Sequence, residues 1–164
     1  MNHNALIVEN LTLKNLVWPD EDATKTWATT LAAKTALNDA TIELHGDLGA
    51  GKTTLVRHLL GALGVQGRIK SPSYAVMEPH IAHRPHGDLT ISHFDFYRFA
   101  DPREWEDAGF REIFANSGLK LIEWADNARA ALPAPDLAIH IKVENDDSRI
   151  VTLRAYTSIG RALL

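Results

Sequence analysis

The chain has 164 residues, 45% of them hydrophobic and 23% charged, which suits one soluble domain with a sizeable core and is too short for two ordinary ones. Seventeen Lys and Arg against 21 Asp and Glu leave a formal charge of −4, which argues against gripping a nucleic-acid backbone by bulk electrostatics but allows a short basic patch. Without cysteine there can be no disulfide or thiolate metal site. No apolar run reaches the roughly 18 residues that span a bilayer. The opening MNHNALIVENLTLKNL lacks the basic front, long apolar stretch and cleavage site of a secretory signal. The expectation is a cytoplasmic chain of one domain, residues 1–164, with residues 1–18 an N-terminal extension of no assigned role.

Taken in order, residues 20–36 open with acids and place Ala23, Trp27, Leu31 and Thr35 four apart, which predicts an amphipathic helix. A short strand follows from Thr41 to His45, then a glycine-rich turn, then a helix from about Thr53 to Leu63 stopped by Gly64. Strands are expected at 74–78 and 89–95, with PHIAHRPHGD as the loop between them. Asp101 can cap a helix whose first position is Pro102. Lys120 to Glu123 reads as a buried strand, and Leu137 to Val143 with Arg149 to Ala155 reads as a hairpin around the turn ENDDS. This order specifies an α/β chain with a mixed sheet, and its glycine-rich turn points to a P-loop NTPase-like three-layer fold.

The strongest signal is the run Gly46, Asp47, Leu48, Gly49, Ala50, Gly51, Lys52, Thr53, which fits G-x-x-x-x-G-K-[ST]. Glycines let successive N–H groups point into one concavity, and the following helix adds free N–H groups and the positive end of its dipole. Lys52 can reach the β- and γ-phosphates, the Thr53 hydroxyl can ligate Mg²⁺, and Thr54 can bond the α-phosphate. A chance match in a glycine loop would not explain why a β-branched strand precedes the run and an apolar helix follows it.

A triphosphate site also needs an acid for the cation. Asp95 ends the strand Leu89 to Asp95, where it is placed either to hold the metal or simply to cap the next turn. Glu123 ends the other short apolar strand. It can orient the attacking water, support the metal shell, or serve as a strand-end salt-bridge partner. Ser71-Pro72-Ser73-Tyr74 lies between the phosphate helix and the Asp95 strand, where Ser73 either senses the γ-phosphate or sits in a plain turn. His80, His83 and His86 are spaced by three, but prolines at 79 and 85 break any helical face, so a solvated loop is expected. Arg57, Arg68, Lys70 and Arg98 are read as a solvated face with nucleic-acid contact as the alternative.

The phosphate turn combined, in order, with SPSY, Glu78-Pro79, HFDFYRF and Ile122-Glu123-Trp124 resembles the TsaE family, ATPases of bacterial tRNA threonylcarbamoyladenosine modification. The likeness runs from about residue 20 to residue 143. It implies Lys52 on the phosphates, Thr53 and Asp95 on Mg²⁺, Glu123 as a second essential acid within the metal site, and Trp124 beside the nucleotide. Ser73 stands where the family more often has Thr, with the hydroxyl retained. The resemblance further implies a weak ATPase that works with the TsaD and TsaB proteins; the acidic net charge fits a tRNA contact that is only indirect or weak, and with no long apolar run no membrane contact is expected. Absence of an N-K-x-D motif favours ATP over GTP. The competing readings are a small-molecule P-loop kinase, for which Asp101 to Arg111 would have to serve as a lid, and an ATP-operated binding module.

Overall fold

A computed structural model describes residues 11–69, 72, 75–101, 103 and 109–164. Residues Thr12–Trp18, expected only as part of an extension, form strand β1. Its exposed side carries Leu13 and Val17, so the usual sign of a half-buried strand is blurred. Helix α1 spans Glu21–Ala32 and is capped by Asp20, whose carboxylate accepts the Ala23 N–H at 2.9 Å, with Glu21 and Asp22 in the first turn. The helix stops before the expected residue 36. Lys34 is extended, its ammonium donates to the Leu163 carbonyl, and a 3-10 turn at Thr35–Asp39 buries Leu37 instead.

Strand β2, Thr41–His45, leads through the glycine turn into α2, Lys52–Leu63, which Gly64 ends at φ +95°. Strand β3 covers Met77–Ala82 and so occupies ground expected to be loop. Pro79 is tolerated there because β3 is an edge strand, where a missing N–H removes no ladder bond from a second neighbour. Strand β4 is Leu89–Asp95, helix α3 is Phe110–Ala115, and β5 is Leu119–Glu123. Most of the helix expected from Asp101 falls outside the described residues, although Asp101 does accept the Arg103 N–H at 3.0 Å. Strands β6 (Leu137–Val143) and β7 (Arg149–Ala155) form the expected hairpin. A short α4 at Ser158–Ala162, capped by Thr157, was not anticipated.

The seven strands lie in the order β1-β7-β6-β2-β5-β4-β3. Strands β6, β2, β5 and β4 run parallel, while β7, β1 and β3 are antiparallel to their neighbours, so the sheet is mixed as expected. On one face Ile42, Leu44, Leu121 and Ile139 pack under Leu31 of α1 and Leu55, Leu59 and Leu60 of α2. On the other, Phe94 and Ile122 pack with Phe96, Phe99 and Phe110 and with Ala125 and Ala128 of a 3-10 turn. Helices, sheet and the aromatic layer make the three layers.

Strand β2 alternates between these faces. Glu43 points away from α2, is 2% exposed, and receives two hydrogen bonds from Arg129 at 2.9 and 2.6 Å and one contact from His45 at 3.0 Å. Burial alone would push its carboxyl up, but the bonds from Arg129 and His45 overcome that and hold it at about 2. His45 stacks on His140 with ring centroids 4.6 Å apart. Burial, then the neighbouring His45 and Arg154, lowers His140 to about 4.

Candidate functional site

The turn between β2 and α2 is shaped by its glycines. Gly51 adopts φ +106°, the left-handed region that side chains avoid, and this opens the backbone into the first turn of α2. A Cβ on Gly46 would lie 2.6 Å from the Ile141 carbonyl oxygen, so strand β6 approaches too closely for any other residue. The result is a concavity with the N-terminus of a twelve-residue helix at its base, the arrangement that suits phosphate oxygens.

Lys52 is 5% exposed, with its stem packed inward and its ammonium donating to the carbonyls of Gly46 and Asp47. It also lies 4.3 Å from the centroid of the Trp124 ring. Burial lowers its pKa from the ordinary lysine value, partly offset by Glu123, Asp95 and Asp47. Trp124 itself holds φ +57°, a left-handed conformation for a bulky residue, and packs against Tyr97 at 4.9 Å.

Parallel pairing of β4 with β5 sets Asp95 directly opposite Glu123, both at the C-terminal ends of their strands and facing α2. Thr53, in the first turn of α2, donates its hydroxyl to Glu123 Oε1 at 2.9 Å, and His93 Nε2 lies 2.6 Å from Glu123 Oε2. Glu123 is 2% exposed, so it meets Thr53 and His93 inside the protein rather than at the surface. Asp95 Oδ1 accepts the Tyr97 N–H at 2.9 Å, so it caps the turn as well as facing the cavity. Thr53, Asp95 and Glu123 offer only oxygen donors, a set that fits a hard divalent cation such as Mg²⁺.

These groups line one cavity of about 360 Å³, together with Leu48 to Thr54, Tyr97, Arg98, Trp124 and Arg149. A second cavity of about 320 Å³ adjoins it past Ala50, Gly51 and Thr54, walled by Trp18, Pro19, Asp20 and Asp147, with Arg149 shared between the two. Arg149 donates to the Ala50 carbonyl at 3.3 Å. The sequence alone did not single out Arg149, because only the sheet order brings β7 alongside the turn. Tyr97 and His93 stand in the HFDFYRF run, which by itself assigns neither of them a role; His93 lies behind Glu123.

Ser71, Ser73, Tyr74 and Lys70 lie outside the described residues. Arg57 and Arg68 are exposed, away from the cavity, whereas Arg98 reaches it. Of the three spaced histidines, His80 is on β3, His83 pairs with Asp88 at 2.9 Å, and His86 follows in the loop. Among the described residues no three or more His, Asp or Glu side chains gather as a metal cluster, so the histidines do not converge on one point. No helix among the described residues is long and apolar enough to cross a membrane.

Comparison with known proteins gives a consistent picture. A family model described as threonylcarbamoyl adenosine biosynthesis protein TsaE matches residues 18–151. The tRNA threonylcarbamoyladenosine biosynthesis protein TsaE of Haemophilus influenzae is 42% identical over 124 residues, 75% of each chain. Its Bacillus subtilis counterpart is 36% identical over 152 residues, 90% of this chain and 89% of that one. The crystal structure of Bacillus subtilis YdiB superposes with a TM-score of 0.73 at 28% identity, covering 93% of this chain and 92% of the other.

Proposed function

The chain belongs to the TsaE family, and on that premise we propose that it binds ATP with Mg²⁺ over the phosphate turn, hydrolyses it slowly alone, and acts with TsaD and TsaB proteins in N6-threonylcarbamoyladenosine modification of tRNA. The observation that carries this reading is the meeting, at one cavity, of the glycine turn, Lys52, Thr53 and the opposed carboxylates of Asp95 and Glu123.

In this reading the backbone N–H groups from Gly49 to Thr53 receive the β-phosphate, and Thr54 the α-phosphate. Lys52 exchanges its contacts with Gly46, Asp47 and Trp124 for the β- and γ-oxygens. Thr53 and Asp95 hold the cation, with Glu123 beside them to orient the attacking water. Mg²⁺ held there would supply neutralisation of the phosphate charge. Because β5 and β4 carry the acids on one side of β2, the nucleoside leaves toward the other side, where the second cavity opens between the phosphate turn, the start of α1 and the paired ends of β1 and β7 at Trp18 and Arg149. Ser73 stands as at the sequence level, either a γ-phosphate sensor or part of a plain turn. The net charge of −4 fits a tRNA contact that is indirect or weak.

The test is Mg-ATP hydrolysis by the purified protein, alone and with the TsaD–TsaB complex. Slow turnover that rises sharply with the complex supports the reading. Unstimulated turnover beside normal ATP binding, with phosphate passed to a small acceptor, would replace it by a kinase.

A further inference from the structure

His93 is wholly buried on β4, faces the same side of the sheet as Asp95, and has no part in the reading above beyond touching Glu123. In the register His93 sits opposite Leu121, so Glu123 is its diagonal neighbour on the same face. The two side chains meet at 2.6 Å, a short charge-assisted contact in a region closed to water. A carboxylate only accepts, so Nε2 must carry the proton in that bond.

The other ring nitrogen, Nδ1, is buried without a hydrogen-bond partner among the described residues. A proton on Nδ1 would find no acceptor among the described residues. The charged and titratable groups around the pair are Lys52 and Asp95 toward the cavity, and His80 and Glu78 on β3. Glu123 thus has one oxygen held from behind by His93 and the other turned to the Thr53 hydroxyl at the cavity. Without the rear donor, the carboxylate would be a buried acceptor free to rotate about its last torsion.

We infer that His93 is a positioning residue that clamps one oxygen of Glu123 so that the other faces the Thr53 hydroxyl and the reacting phosphate. This rests on Glu123 being the working carboxylate of ATP hydrolysis. The histidine acts only through Glu123 and needs no contact with nucleotide. Replacing a group that orients a functional carboxylate typically lowers activity about 10–100-fold.

The test uses the full chain with His93→Leu, His93→Asn, His93→Gln and Glu123→Ala. Leu removes the donor, Asn is too short to deliver it, and Gln restores an N–H near the position of Nε2. The expected result is a kcat lowered about 10–100-fold in the Leu and Asn variants with KM for ATP within about twofold, and most of kcat recovered in the Gln variant. Independently of activity, the ring-nitrogen NMR spectrum of His93 in nucleotide-free protein should show the Nε2–H tautomer and should shift in Glu123→Ala. Wild-type kcat in either donor-less variant that folds overturns the inference. So does equal loss in the Gln variant, or a His93 spectrum indifferent to Glu123. If Glu123→Ala itself turns over at the wild-type rate, what fails is the assignment of Glu123, a result readable apart from the ring spectrum.

Discussion

Arg129→Met tests the buried pair that anchors β2, the strand delivering the phosphate turn. Glu43 is held at about 2 against an ordinary 4.5. Over that interval an ionised carboxylate contributes roughly 3 kcal/mol to folding at neutral pH. Part of this comes from His45, and the Arg129 head is 46% exposed, where solvent screens it. The share lost with Arg129 is therefore roughly 2 kcal/mol at pH 7, while Met keeps the apolar stem in place. The folded pKa of Glu43 lies below its unfolded value, so its contribution is complete above about 4.5 and is lost as pH falls toward about 2. In the variant the carboxyl moves up toward its ordinary value, with His45 still holding it part of the way down, so the stability gap between the two proteins should narrow steadily through that window. Urea unfolding followed by tryptophan fluorescence at several pH values between 7 and 3 measures the gap directly. A gap below about 0.5 kcal/mol at pH 7, or one that does not change with pH, would refute the reasoning.

Three further outcomes follow from the cavity. Lys52→Ala should weaken Mg-ATP binding at least tenfold by calorimetry, on the order of 1.5–3 kcal/mol for lost charge-assisted bonds, while the protein still unfolds cooperatively. Glu123→Ala should keep ATP affinity within a few-fold but lower single-turnover hydrolysis by roughly 100-fold or more, as expected for a general base or water-orienting group. Trp124 lies over the Lys52 ammonium, so Mg-ATP should change its emission, and the change should vanish in Lys52→Ala; an unchanged spectrum at saturating ATP would show that Lys52 does not leave the ring.

What could be read from sequence was what is encoded locally. Gly46 to Thr53 form a contiguous motif, and Asp95 and Glu123 each end an apolar run, so one stretch of chain reveals each of them. The edge elements were harder. Strand β1 shows two apolar side chains to solvent, and β3 carries Pro79, which looks like a breaker until the strand is known to lie at the edge. Arg149 and the Glu43–Arg129 pair depend on residues 99 and 86 positions apart, and nothing local marks such partnerships.

His93 is the instructive intermediate. Side chains two apart on a strand share a face, so once Asp95 is read as pointing into the site, His93 must point the same way. The same rule puts Leu121 on the face of Glu123. A strand buried under α2 at this point should carry aliphatic side chains, as Ile91 does two residues earlier. A histidine there breaks the apolar pattern, and a buried polar group requires a partner. The missing datum was the register: only the pairing of Asp95 with Glu123 shows that the partner is the carboxylate at the end of the adjacent strand. Strand alternation therefore identifies which polar residues need explaining, while sheet topology supplies the explanation.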